Sequence, residues 1–362
     1  LKKNKISKKE SAASKRQSRK IAENNTAKHW AREWLDALVW AFIAAIILRT
    51  FFFGAYRIPT PSMEKTLLTG DFLIVTKLAY GPRTPMTLSV PFTDIYTPGV
   101  NLPWLRIPGY SEIKRDDIVV FNYPIDVAPI SVKTNYIKRA VGIPGDTIQI
   151  TDKLLYVNGE DANQYETLMF NHRVESRDRI RLSPTKVGDA GAAILQSNEN
   201  TYIMNMTAEV AEQMSEWPEI VSVEKFVLPN DYDTFSRRGF NFSRGFTNHD
   251  NMDEFTVPYS GMEVELSAEN WHLYQDILER YERISVQRVG DSFTINGEET
   301  NRYTIQQDYY FMMGDNRDDS EDSRYWGFVP YDHVIGKAGI IYFSWDGERF
   351  LPRFERLMNL IH

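Results

Sequence analysis

The chain has 362 residues, 42% hydrophobic and 25% charged, with a net charge of −7 and no cysteine. That length allows about two domains, and an acidic balance gives no reason to expect a nucleic acid partner. The absence of cysteine excludes a disulfide frame, a thiol nucleophile and thiolate metal ligands.

Charge is unevenly spread along the chain. Residues 1–28 hold eight Lys and two Arg against Glu10 and Glu23. This stretch cannot build a core and reads, up to about residue 33, as a disordered basic tail. Next comes "WLDALVWAFIAAIILRTFFFGAY", 34–56. Its uninterrupted apolar run, Ala37 to Leu48, is 12 residues, which alone would fit a buried core helix. With Asp36 and Arg49 tolerated near its ends, it extends from Leu35 to Ala55, 21 residues and enough to span a bilayer. Arg49 can snorkel to a headgroup, and Trp34 and Tyr56 stand where interfacial anchors belong. The basic tail is the positive-inside signal, and the bulky flank "RTFFFGAYRIP" lacks a small-x-small cleavage site. The reading is one uncleaved transmembrane helix with its N-terminus in the cytoplasm and the body outside.

The remainder reads as mainly β. "GDFLIVTKL" (70–78), "DDIVVFNYP" (116–124), "NYIKRAVGI" (135–143) and "DTIQI" (146–150) are short β-rich runs, several bounded by Gly, Pro or Asp. "LLYVNGE" (154–160) and "FTINGEE" (293–299) each carry an Asn-Gly hairpin signal. Helices are few: "TAEVAEQMS" (207–215), between strand-like "TYIMNM" and "EIVSVEKF", and "SAENWHLYQDILERYE" (267–282) with a Ser N-cap. The expected layout is a catalytic body of antiparallel strands over 57–160 and 284–350, an α+β insert over 161–283, and a C-terminal tail over 351–362.

Four blocks stand out: "RIPTPSM" (57–63), "GDFLIVTK" (70–77), "YIKRAVGIPGD" (136–146) and "MGDNRDDSEDSRYWGFVP" (313–330). In this order after an N-terminal anchor, they make the chain resemble the bacterial type I signal peptidases, serine peptidases of the bacterial cytoplasmic membrane that remove signal peptides from exported preproteins. The motifs cover only about 45 residues; the insert and the Pro/aromatic segment 81–112 have no counterpart in the shortest members. The resemblance implies Ser62 as nucleophile and Lys138 as general base, with no cofactor and no metal. It places the Thr60 hydroxyl with the Ser62 N–H in an oxyanion hole. It makes Ser320 the group that orients the lysine amine. Arg139, Asp315, Asp322 and Arg324 become structural support, Asp315 pairing with Arg139 and Asp322 with Arg324.

Other chemistries fit these residues less well. Lys65 stands three positions after Ser62, the spacing of penicillin-recognising enzymes. Those also need a Ser-x-Asn element and a Lys-Thr-Gly strand, and neither follows the anchor. Lys65 lies in a charged turn, whereas Lys138 has the apolar neighbours Ile137, Ala140, Val141 and Ile143. For a Ser-His-Asp triad, only His333 of six histidines lies close to a matched block, and it reads as a surface residue. The acidic loop "DNRDDSEDS" fails as a calcium loop, with Arg317 at its third position and Ser320 at its sixth.

Substrate binding is expected by β-augmentation on the extended stretch before Ser62, which Pro59 and Pro61 favour. Shallow pockets lined by Tyr56, Ile58, Met63, Leu67, Tyr136 and Ile137 would accept small side chains, by resemblance the Ala-x-Ala ahead of the cut. The competing reading is that these residues, Leu67 above all, are simply core. "TPGVNLPWLRIPGY" (97–110) is either a lipid-resting surface or a stretch whose Trp104 and Leu105 pack beneath the insert. An inactive anchored relative that only binds export substrates is the alternative function, against which stands the presence of Thr60, Ser62, Lys138 and Ser320 together.

Overall fold

The computed structural model describes residues 29–30, 32–89, 95–178, 180–235, 238–347 and 349–361, so the basic stretch 1–28 lies outside the described residues. The chain divides into two compact units, Leu1–Phe52 and Phe53–His362. In the first, helix α1 (Arg32–Phe52) has 21 residues and a mean hydropathy of 2.0, with none of its apolar window buried. At 1.5 Å per residue it is about 30 Å long, the thickness of a hydrocarbon core. Trp34, Leu35, Leu38 and Trp40 are each more than half exposed, and so much bare apolar surface suits lipid better than water.

The anchor expected over 34–56 ends earlier. β1 (Phe53–Arg57) leaves the helix and pairs antiparallel with β2 (Asp71–Thr76), from Phe53 opposite Thr76 to Arg57 opposite Phe72. The apolar run continues past Phe52, but the ladder to β2 satisfies the backbone of 53–57, so these residues join the body.

β3 (Ile118–Asn122) and β4 (Asn135–Gly142) fall on the runs that composition marked as strands. β5 (Thr147–Thr151) pairs with β6 (Leu154–Val157). The Asn158-Gly159 pair turns β6 into Glu160–Asp161, with φ of 55° and 79°. Asn296-Gly297 does the same after Ser292–Ile295, at 50° and 90°. Both turns need positive φ at two successive residues, which Asn-Gly supplies with little strain.

The insert is two things rather than one. β7 (Met169–Ser176), β8 (Ala193–Asn198), β9 (Thr201–Thr207) and β10 (Ile220–Lys225) form their own sheet in the order β8-β9-β7-β10. Helix α2 (Ala208–Ser215), capped by the Thr207 side chain, packs with this sheet around Val174, Met204, Met206 and Met214. The second half instead joins the body. β11 (Met252–Thr256) pairs with β5, and helix α3 (Trp271–Asp276), continued by a π-turn over Ile277–Tyr281, shares a core with Phe311 and Phe328. Helix α3 begins four residues beyond the expected Ser267 cap. Ser267 and Asn270 bond reciprocally, side chain to backbone, and hold a turn ahead of it.

β12 (Tyr309–Met313) and β13 (Val334–Asp346) complete an antiparallel sheet in the order β1-β2-β13-β3-β4-β12, with Val329–Pro330 at its edge. The stretch 351–362, expected as a tail, belongs to this sheet: Leu351–Pro352 and Asn359–Leu360 both pair with β13. Arg356 Nη2 lies 2.6 Å from the wholly buried Asp71, so removing the stretch would strand that carboxylate.

Every residue of β3 is buried, which explains its unbroken apolar run. Ile118 and Val120 face a cluster with Ile58, Met63 and Leu67, while Val119 and Phe121 face another with Met312 and Trp326. Each such side chain contributes roughly 1.5–3 kcal/mol of burial. The turn carrying Ser62 and the strand carrying Lys138 are therefore built directly on this buried strand.

Candidate active site

Ser62 sits in a single 3-10 turn, Pro61–Met63, with Thr60 as its extended N-cap at φ −130° and ψ 155°. Pro61 is pre-set for a first helical position. Met63 is fully buried, and the Leu67 N–H donates to its carbonyl at 2.7 Å, so the turn is held from inside. On each side of it, the Ile58 N–H donates to Asp71 O and the Gly70 N–H to Ile58 O. The Thr60 side chain makes no capping hydrogen bond and is exposed.

Lys138 lies mid-strand in β4, opposite Val119, and is 3% exposed. Its Nζ is 2.5 Å from Ser62 Oγ, and the pair is buried. Burial pushes the Lys138 ammonium down to about 8; Asp322 opposes that shift and Arg324 adds to it. Alternation along the strand turns the next residue the other way. Arg139 meets Asp315 through two bonds, Nε to Oδ1 at 2.8 Å and Nη2 to Oδ2 at 2.6 Å. Asp322 accepts from Arg324 Nε and Nη2, both at 2.8 Å, and from the Gly314 N–H at 3.0 Å. Burial alone would raise the Asp322 carboxyl, but the Arg324 guanidinium holds it below its ordinary range.

Ser320 is brought to the site without the expected bond. Its hydroxyl is buried and has no hydrogen-bond partner, the Lys138 amine included. A Cβ on Gly314 would lie 2.3 Å from Ser320 Oγ and 2.5 Å from the Ser62 carbonyl oxygen. Glycine there lets the acidic loop close against the Ser62 turn, and it sets Ser320 beside it.

The rival bases are placed elsewhere. Lys65 is exposed on a turn at φ 71°. Lys133 is also pushed to about 8 by burial, but its Nζ faces Pro124 O at 2.9 Å and His333 Nε2 at 3.0 Å. His333 is buried rather than at the surface, because its Nδ1 meets Asp332 Oδ1 at 2.6 Å and its other nitrogen meets Lys133. It therefore activates no serine. Among the described residues, one group has metal-ligand proximity: His249, Asp250 and Asp318. Lys153 Nζ, 2.5 Å from Asp318 and 3.5 Å from Asp250, already fills the place a cation would take.

Of the pocket residues, Ile58, Met63 and Leu67 are fully covered in the core cluster, and Tyr56 and Ile137 are half-buried against it. The first three are core, covered by the protein itself, while Tyr56 and Ile137 keep some surface exposed. Tyr136 stacks on Tyr123 at 4.6 Å and meets Trp326 edge-on at 5.4 Å, with its ring 5.7 Å from Lys138 Nζ. Sequence reasoning missed Tyr123 and Trp326, although Trp326 lies inside the fourth block. It also missed Thr66, whose hydroxyl donates to Asp315 Oδ2 at 2.5 Å. In 97–110, Trp104 and Leu105 are 40% and 60% exposed, so they do not pack beneath the insert. Arg106, stacked over Tyr331, pins the segment while its apolar side chains stay bare.

The sequence matches the family described as signal peptidase, peptidase S26, over residues 31–223 and 256–345. Signal peptidase I of Pseudomonas aeruginosa is 27% identical over 332 residues, covering 88% of this chain and 74% of the relative. Signal peptidase I of Rickettsia canadensis is 26% identical over 333 residues, covering 90% and 86%. A crystal structure of a signal peptidase I from Enterococcus faecalis covers 63% of this chain and 97% of its own, at 18% identity and a TM-score of 0.21.

Proposed function

Because the chain belongs to the signal peptidase family, peptidase S26, whose activity is the cleavage of signal peptides, we propose that it cleaves with a Ser62–Lys138 dyad after small-x-small sites. The observation that carries this is the buried 2.5 Å contact of Lys138 Nζ with Ser62 Oγ. The neutral amine takes the hydroxyl proton as Oγ attacks the scissile carbonyl. The oxyanion is met by the Ser62 N–H and the Thr60 hydroxyl, which makes no capping hydrogen bond of its own. As the C–N bond breaks, the Lys138 ammonium returns the proton to the leaving amine, and the signal peptide remains as an ester on Ser62. Lys138 then deprotonates a water that hydrolyses the ester. Ser320, whose buried hydroxyl is unpartnered beside Gly314, is the group to steady the amine as it moves between states. Arg139, Asp315, Asp322 and Arg324 hold the strand and loop that carry these groups.

The test is cleavage of one preprotein by the detergent-solubilised chain. Ser62→Ala is expected to abolish it. Thr60→Val is expected to lower kcat roughly 10- to 1000-fold with little change in KM, as for the loss of one oxyanion donor. Thr60→Ser should be nearly neutral. Unchanged kcat in the valine variant would remove Thr60 from the hole.

The substrate backbone pairs with the extended stretch before Ser62, and its small side chains rest on Tyr56, Ile137 and Tyr136. The charge asymmetry about α1 supports an N-terminus in the cytoplasm and a catalytic unit on the outer face of the inner membrane. Protease added to spheroplasts is then expected to degrade the body. A protected body would overturn the orientation.

A further inference from the structure

The sheet β7–β10 lies apart from the catalytic blocks in sequence, yet it reaches the nucleophile through one buried amide. The Asn316 backbone N–H donates to the Ser62 carbonyl at 3.1 Å, and Asn316 Nδ2 donates to the Pro61 carbonyl at 3.3 Å. One residue thus grips two successive carbonyls of the turn that presents Ser62. Its remaining side-chain atom, Oδ1, accepts a 3.0 Å hydrogen bond from Asn205 Nδ2, in β9. Asn205 also donates to Asn171 Oδ1, in β7, at 3.0 Å, so its own orientation is fixed from within the insert sheet.

Burial makes this arrangement consequential. Asn205 and Asn316 are 4% and 3% exposed, so water does not stand in for a lost partner. Main-chain bonds flank the node: the Met169 N–H donates to Asp315 O at 3.0 Å, and the Arg317 N–H donates to Met169 O at 2.9 Å. Register alone, however, does not decide which way the Asn316 amide faces. A carboxamide is nearly symmetric in shape, and the reverse orientation would set Oδ1 against the Pro61 carbonyl, acceptor to acceptor. The Asn205 donor selects the orientation in which Nδ2 holds Pro61.

We propose that Asn205 is a positioning residue for signal-peptide cleavage, acting through Asn316 to align the Pro61–Ser62 turn with Lys138 and the oxyanion donors. The proposal rests on Ser62 being the nucleophile. It gives the insert sheet a role in the reaction: β7 and β9 buttress the turn that presents Ser62 through Asn316.

The test uses the full-length protein in detergent, measuring kcat and KM on a signal-peptide substrate and a denaturation midpoint for each variant. Asn205→Ala is expected to lower kcat roughly 10- to 100-fold with KM within about twofold, the scale set by a small displacement of reacting groups. Asn205→Asp keeps the size but puts an acceptor where the donor was, and is expected to lose at least as much. Val187→Ala removes volume from the core of the same sheet without touching these amides. It is expected to lower the midpoint and keep kcat. Asn205 variants with kcat within about twofold of wild type, or an equal kcat loss in Val187→Ala, would overturn the proposal. Should the alanine variant fail to fold, the isosteric aspartate decides. An active Ser62→Ala enzyme would instead sink the nucleophile reading, whatever Asn205 does.

Discussion

Lys138→Arg is expected to be as inactive as Lys138→Ala, although it keeps the charge and most of the length. A guanidinium does not give up its proton in any accessible pH range, so it cannot accept one from Ser62. The wild-type lysine is expected to, because burial lowers its ammonium to about 8. Against an ordinary lysine near 10.4, that shift corresponds to roughly 3 kcal/mol favouring the neutral form. The sign of the pH dependence follows. Above about 8 the amine is free and kcat/KM should be flat. Below it the amine gains its proton, and kcat/KM should fall about tenfold per pH unit, to roughly a hundredth of the plateau at pH 6. Lys65→Ala, altering an exposed turn, should retain most activity, and so should Lys133→Met, whose amine faces His333. A flat profile between pH 6 and 10, or loss of activity in Lys65→Ala, would show that Lys138 is not the base.

The strands and hairpins of the body were legible because their signals are local. "DDIVVFNYP" and "NYIKRAVGI" announce buried strands by composition, and Asn158-Gly159 and Asn296-Gly297 announce hairpins by backbone need. Strand alternation alone sends Arg139 away from Lys138. What escaped was decided by partners distant in sequence. Nothing near 351–362 reveals that Arg356 answers the buried Asp71, so that stretch looked like a tail. The insert was read as one unit because strand partners are not written in sequence: Met252–Thr256 finds a ladder on β5 while Met169–Ser176 finds one within its own sheet. His333 looked like a surface residue because one neighbour, Asp332, was visible and the other, Lys133, lies 200 positions away. The hydrophobic pattern likewise marked Ile58, Met63 and Leu67 without saying whether a peptide or the protein itself would cover them; the core clusters cover all three.

Asp315→Ala should be the most destabilising single change in the site, and the reason is the charge it leaves behind. Arg139 and Asp315 are 2% and 1% exposed, and the carboxylate takes both Arg139 Nε and Nη2 as well as the Thr66 hydroxyl. Removing the acid leaves a guanidinium deep in the protein with the Asp116 carbonyl and the face of Tyr165 for company. Breaking one side of such a pair typically costs about 3–5 kcal/mol, a large share of the roughly 5–15 kcal/mol that holds a domain together. The exposed Lys186–Glu219 pair, at 2.9 Å, offers the comparison: breaking it should matter far less, because water replaces each partner. Denaturant unfolding of the detergent-solubilised chain measures both. The double change Arg139→Met with Asp315→Leu should recover most of the stability, since well-packed apolar groups replace a buried ion pair at little cost. It should not recover full activity, because Asp315 also fixes the loop between Gly314, pressed against Ser62, and Asn316, bonded to it. If Asp315→Ala unfolds no more readily than a variant lacking the Lys186–Glu219 pair, then the Arg139 charge is solvated by some other route, and the pair does not hold the loop.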